Sequence, residues 1–305
     1  MRIFGKTNIN FLGIRRSMYF VSAFVILAGI ASLIFKGIDY GIDFRGGTEI
    51  VLQFNAKPAI GDIRAALGKV GLGNSEIKSF GGEGGLLIRT IEQGEGTTIA
   101  DTIKSAISQT FPNMQFEVLK QDKIGPKIGK ELRQDALYAI IASLVVILGY
   151  IGIRFKFIYG VGAVMALFHD VLVTLGILSI LDGVFPHLNL EISQEVVAAL
   201  LTLVGLSVND TVVVFDRIRE NLKIYRSMSL FEVMNKSLND TLSRTIITSG
   251  TVFIVLLTLL IFGGEVTRGF AFTLTVGIVT GTYSSIYIAS AVVIDWTNRV
   301  KKQKS

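Results

Sequence analysis

Six apolar stretches dominate this sequence, at residues 18–35, 136–153, 157–181, 196–215, 245–263 and 269–294. Each is about 18 residues or longer, enough for an α-helix to cross the hydrocarbon of a bilayer. Half of the 305 residues are apolar, more than a water-soluble domain of this size carries. Arg15 and Arg16 precede the first stretch, as basic residues precede a signal peptide. The stretch is longer than a signal core and no cleavage site follows it, so it is expected to stay as an anchor. The chain has no cysteine, which excludes a disulfide framework and a thiolate metal site.

Orientation follows from the flanking charges. Arg2, Lys6, Arg15 and Arg16 precede the first span, and Arg154 and Lys156 sit in the turn between the second and third. Arg217, Arg219, Lys223, Arg226, Lys236 and Arg244 lie between the fourth and fifth, and Arg299, Lys301, Lys302 and Lys304 close the chain. All four segments fall on one side if every stretch crosses. The opposite loops hold almost no basic charge. Both termini are therefore expected in the cytoplasm. The net charge of +6 belongs to these membrane flanks and is no sign of nucleic-acid binding.

The predicted division is a cytoplasmic 1–17, a first span 18–35, an outside domain 36–135, and spans at 136–153, 157–181 and 196–215. A cytoplasmic loop 216–244 with an amphipathic helix follows, then spans 245–263 and 269–294 and a basic tail 295–305. In the outside domain, Ile50, Leu52 and Phe54 alternate as in a strand, while Ile60, Ile63, Leu67 and Val70 recur at helical spacing. Two strand-like runs at 76–80 and 86–91 flank the turn from Gly81 through Gly82, Glu83 and Gly84 to Gly85. Ile99, Ile103, Ile107 and Phe111 mark a second helix, and Met114, Phe116 and Val118 alternate again. The order βαββαβ is that of a ferredoxin-like α+β unit. Glu83 and Glu92 are expected in solvent. The unit either binds an extended chain by strand addition or serves as a passive spacer.

Two spans carry ionisable residues. A carboxylate at the centre of a membrane helix costs about 2.5–3.5 kcal/mol even on the lenient insertion scale. His169 and Asp170 lie well inside the third span, where Ala163, Ala166, Asp170 and Thr174 share a small and polar face. In the fourth, Ser207, Asp210 and Thr211 share a face, with Asp210 roughly 9 Å of helix from Asp216. Arg244 opens the fifth span on the same side and, being long, reaches toward Asp210. Asp210 is thus expected in a helix bundle, with Arg244 as counter-charge and Ser207, Asn209 and Thr211 as hydrogen-bond partners. Such a pair either fixes helix register or moves a proton. His169, Asp170, Asp210 and Arg244 together in six helices favour the proton path. Gly277 and Gly281 form a GxxxG pattern and are expected to pack helices closely.

Several of these residues lie in longer motifs. GIDFRGGT at 41–48, directly after the first span, resembles the signature of the SecD and SecF protein-export membrane proteins. ALFHDVLVTLGI in the third span, SVNDTVVVFDRIREN across the end of the fourth and SRTIITSGT opening the fifth are similar to the SecF branch. The resemblance covers essentially the whole chain. It implies the resistance–nodulation–division architecture, a homologous SecD-like partner, association with the SecYEG channel, and an unfolded preprotein as substrate. It implies no cofactor and no enzymatic activity. The driving ion is H+, with Na+ in some relatives, and the location is the bacterial cytoplasmic (inner) membrane. The relay Asp and Arg of the family fall on Asp210 and Arg244. Asp170 and His169 fall in a family motif. Asp43, Arg45, Gly46 and Gly47 fall in the signature, with an expected role in coupling the domain to the membrane part. A small-molecule or lipid exporter half of the same superfamily is the alternative.

Overall fold

The structure is a computed structural model, which describes residues 7–81, 84–92, 94–184 and 190–304. Arg2, Lys6, Gly82 and Glu83, and the side chains of Lys301, Lys302 and Lys304, lie outside the described residues. Among those described, six helices are long and apolar enough to cross a membrane.

The long helices are α1 (Arg15–Lys36), α5 (Pro126–Arg154), α6 (Phe157–Leu181), α7 (Gln194–Ile224), α8 (Leu230–Phe262) and α9 (Glu265–Ser284). A π-helical turn, Ser285–Ala289, joins α9 to α10 (Ser290–Lys304), so one continuous path makes the last span. Helices α6, α7 and α9 form the centre, while α1, α5 and α8 leave much apolar surface outward. Sterically, the centre closes on small residues. A Cβ at Gly29 of α1 would lie 2.6 Å from the Cα of Gly176 in α6. One at Gly277 of α9 would lie 2.7 Å from Leu203 of α7, and one at Gly281 would lie 3.2 Å from Ser207. The GxxxG pair does pack α9 onto α7, and Gly29 with Gly176 makes a second close crossing.

Helix lengths exceed the apolar stretches. Helix α5 begins at Pro126, suited to a first helical turn by its fixed φ, and runs through Lys127, Glu131 and Arg133 before the apolar run starts. Helix α8 begins at a capping box, in which Ser229 Oγ accepts from the Glu232 amide and Glu232 accepts from the Ser229 amide. It then continues without a break from the polar segment into the apolar one. Hydropathy marks bilayer thickness, whereas helical hydrogen bonding continues through any residue of adequate helix propensity.

Residues 47–124 build a four-stranded antiparallel sheet from β1 (Gly47–Phe54), β2 (Glu76–Ser79), β3 (Gly85–Thr90) and β4 (Phe116–Ile124), in the order β2-β3-β1-β4. Helices α3 (Ile60–Gly68) and α4 (Thr98–Thr110) cover one face. Ile50, Leu52 and Phe54 point there because side chains alternate along a strand, and they pack with Ile63, Leu67, Ile88, Ile103 and Ile107. The other face carries Glu49 opposite Arg89 on the neighbouring strand, with Glu76 opposite Arg89 on its far side.

The short helix α2 (Ile42–Arg45) holds the signature between α1 and β1. Gly46 and Gly47 adopt φ of 73° and 126°, a region open to glycine at little steric cost. A Cβ at Gly47 would sit 2.3 Å from the Thr90 carbonyl oxygen, and one at Gly46 would sit 3.0 Å from Pro126 at the start of α5. The two glycines therefore seat the strand, the sheet and α5 against one another.

Candidate functional site

Two buried carboxylates occupy the middle of the bundle. Asp170 of α6 is 1% exposed. It accepts from Ser207 Oγ of α7 at 2.5 Å and from Ser284 Oγ of α9 at 2.7 Å, both on Oδ2. His169 Nδ1 stands 2.9 Å from its Oδ1. An ionised carboxylate has about four acceptor positions, so the protein fills most of them. Ser284 is the last residue of α9 before the π-helical turn, a local irregularity common at functional sites.

From His169 a polar line runs toward the start of α1. His169 Nε2 is 2.9 Å from Ser22 Oγ, Ser22 Oγ is 3.0 Å from the Tyr283 hydroxyl, and that hydroxyl donates to the Met18 carbonyl at 2.7 Å. Tyr283 also stacks on the imidazole, with ring centroids 5.7 Å apart.

Asp210, one turn beyond Ser207 on α7, is also buried, but its surroundings differ. Its hydrogen-bond donor among the described residues is Ser249 Oγ of α8, at 2.9 Å. Beside it lies a cavity of about 140 Å³, lined by Ser207, Asn209, Asp210, Thr248, Ser249 and Gly281 among others. Leu203, Leu206, Val252 and Ile278 also line it, and its volume has room for a few waters. Asp210 thus faces α8 and a void, while Asp170 faces α7 and α9.

Some expected partners are placed elsewhere. Ser207 serves Asp170 and not Asp210. Neither Asn209 nor Thr211 hydrogen-bonds Asp210 among the described contacts; Asn209 lines the cavity and Thr211 is buried beside it in sequence. Arg244 is exposed and forms no ion pair with Asp210 among the described residues, acting on it only through space. The reason is helical geometry: Ser249 lies five residues after Arg244 on α8, about 7.5 Å along the axis, so the hydroxyl reaches the carboxylate and the guanidinium lies toward the helix start.

At the other end of the bundle the signature meets the loop between α6 and α7. Asp43 Oδ2 accepts from the Gln194 amide at 2.9 Å, capping α7 from outside the helix. Burial pushes the Asp43 carboxyl above its ordinary value, while that hydrogen bond works the other way. Arg45 pairs with Asp39 at 2.8 Å. No group of three or more His, Cys, Asp or Glu able to hold a metal occurs among the described residues.

Sequence reasoning misses Ser22, Ser249, Tyr283 and Ser284, which look like ordinary hydroxyls in apolar runs. It also misses Glu49, Arg89 and Glu191. Glu49 and Arg89 carry a signal, since each interrupts an otherwise apolar strand (GTEIVLQF and GLLIRT).

Known proteins resemble this chain in sequence and in fold. The family described as protein export membrane protein SecD/SecF, C-terminal, matches residues 93–299, and the SecD/SecF GG motif matches residues 31–57. A protein translocase subunit SecF from Rhodothermus marinus is 47% identical over 304 residues, covering 100% of this chain and 98% of that protein. A SecF from Desulfurispirillum indicum is 43% identical, covering 95% and 92%. The crystal structure of SecDF from Thermus thermophilus, described as a translocon-associated membrane protein, superposes with a TM-score of 0.83 at 35% identity. It covers 96% of this chain but 39% of the SecDF chain. A SecDF in a super-membrane-facing form gives a TM-score of 0.72 at 35% identity, with 99% and 40% covered. With sequence matches along its whole length and the same fold in structures that also contain much more, this chain belongs to the SecD/SecF family of protein-export membrane proteins.

Proposed function

We propose that this chain is a subunit of the Sec protein-export machinery that couples downhill ion movement to late translocation of preproteins. It works in the bacterial cytoplasmic membrane with both termini inside, beside a SecD-like half and the SecYEG channel. The names of its relatives support the export role. Its match to about two fifths of a SecDF chain supports a partner half. The strand order, with both helices on one face, supports a ferredoxin-like unit, which the flanking charges place outside the membrane. The driving ion is H+, or Na+ in a variant of the same cycle.

One observation carries the mechanism: Asp210 is buried with a single hydroxyl donor and a cavity at its side. A carboxylate so placed is only partly compensated for leaving water, so taking up a cation lowers its energy. Protonation removes its attraction for the charge on Arg244 and turns it from an acceptor into a donor toward Ser249. Helices α7 and α8 then repack about the cavity. Ser207, which donates to Asp170, lines the same cavity, and the His169 line offers continuation toward α1.

The test is reconstitution with a SecD-like partner and SecYEG in proteoliposomes. Asp210→Asn is expected to assemble normally, to abolish gradient-driven precursor completion and to abolish dissipation of the ion gradient. Completion at the wild-type rate by the Asn variant would overturn the proposal.

A further inference from the structure

Covalently, the sheet unit joins the bundle through two connections, one from α1 and one into α5. On the entry side α1 ends at Gly37, which adopts a φ of 81°. On the exit side, α5 buries only Gly129 and Ile151 of its 29 residues. Helix α1 packs on α6, with Gly29 against Gly176, and neither α1 nor α5 carries Asp210. Helix α7, which carries Asp210, buries twelve residues and has no covalent link to the sheet.

A compact splice also joins the segment just before α7 to the sheet. The Ile192 amide donates to the Asp39 carbonyl at 2.8 Å, and the Gly41 amide donates to the Ile192 carbonyl at 2.9 Å. Tyr40 and Ile192 thus form a parallel bridge. Next to it, Arg89 of β3 grips Glu191 with both terminal nitrogens, at 2.7 and 2.6 Å, a bidentate pair. The same guanidinium donates to Glu49 Oε2 from Nε at 3.1 Å and from Nη2 at 2.5 Å. Side-chain exposure is 4% for Arg89, 5% for Glu49 and 10% for Glu191. Burial alone would lower the Arg89 guanidinium, but the hydrogen bonds and charges of Glu191 and Glu49 hold it above its ordinary value. Glu191 stands two residues before Ser193, the N-cap of α7.

We infer that Arg89 and Glu191 are positioning residues that splice the sheet unit to α7, so that displacement of α7 at Asp210 is delivered to the sheet. This rests on the proposed ion-coupled reading. The ion pair resists separation because opening it strands buried charges. The bridge at Ile192 ties the linker between α1 and α2 to the same loop, beside the ion pair. The unit moves with the helix as one body.

Glu191→Ala is the informative variant, because Arg89 keeps its Glu49 partner and the sheet its own core. In the reconstituted complex, ion flux is expected to persist while precursor completion falls about tenfold, within the range for residues on a coupling path. Hydrogen exchange at the Gly41 and Ile192 amides, read by mass spectrometry in the full chain, is expected to rise. A second variant restores the splice covalently. A Cβ at Gly41 lies 3.4 Å from Ser193 Cβ, near the range for a disulfide, and the chain has no cysteine of its own. Gly41→Cys with Ser193→Cys, oxidised, is expected to rescue Glu191→Ala and to leave the wild type active, and reductant is expected to reverse the rescue. Unchanged exchange, undiminished completion, flux and completion lost together, or a wild type blocked by the oxidised bridge would each overturn the inference. Flux persisting in Asp210→Asn would sink the ion-coupled reading alone, and the exchange measurement would still decide the splice.

Discussion

Asp170 and Asp210 sit on neighbouring helices and are both buried, yet the protein treats them differently. Asp170 is held by Ser207, Ser284 and His169 from three directions. Asp210 has Ser249 and a cavity. A carboxylate whose acceptor positions are filled by fixed donors is stable where it stands and resists change. One with a single donor and open space can alter its partner set at low cost. The difference lies in what each acid joins: the crowded acid fixes α6, α7 and α9 together, and the open one faces α8, the outer helix.

This contrast is open to attack, and the largest effect comes first. Asp210→Asn is expected to reduce gradient-driven completion to that of liposomes lacking the subunit, with assembly intact. Asp170→Asn, which keeps a carbonyl acceptor, is expected to retain a measurable part of that activity; equal loss in both would break the distinction. For stability the ranking reverses. Asp170→Ala strands three donors and is expected to cost about 3 kcal/mol or more, seen as a lowered unfolding midpoint in detergent, whereas Asp210→Ala is expected to cost about 1 kcal/mol. Gly29→Ala drives a methyl into the Gly176 backbone and is expected to cost about 1–3 kcal/mol, confirming that the α1–α6 crossing frames the crowded acid. The smallest effect is that of Ser249→Ala. Removing the one donor to Asp210 is expected to change the rate by no more than about tenfold, the weight of roughly 1.4 kcal/mol from a charge-assisted hydrogen bond, without lowering the unfolding midpoint measurably. A stability loss there as large as that of Asp170→Ala would show that Asp210 is held as tightly as its neighbour.

The site is partly legible without the structure. His169, Asp170 and Asp210 announce themselves because ionisable residues in apolar runs are costly, and Asp43 and the Gly46–Gly47 pair stand in a recognisable motif. Periodicity groups Ser207 with Asp210 on one helix face, but it cannot tell which neighbouring helix that face meets. Charge and length point to Arg244 as the contact of Asp210, while the structure gives the contact to Ser249. Hydroxyls such as Ser22 and Ser284 carry no charge to betray them in apolar surroundings.

By itself, the sequence determined the number of apolar helices and the alternation that builds the sheet. These depend on spacing along one chain, and chain periodicity of 3.6 or 2 is a local property. Only the tertiary structure decided which hydroxyl serves which carboxylate, and that Arg89 would grip Glu191. Those contacts join residues 37, 114 and 102 positions apart. They depend on how helices rotate and cross once packed, and glycines such as Gly29, Gly176 and Gly277 set those crossings by letting backbones approach.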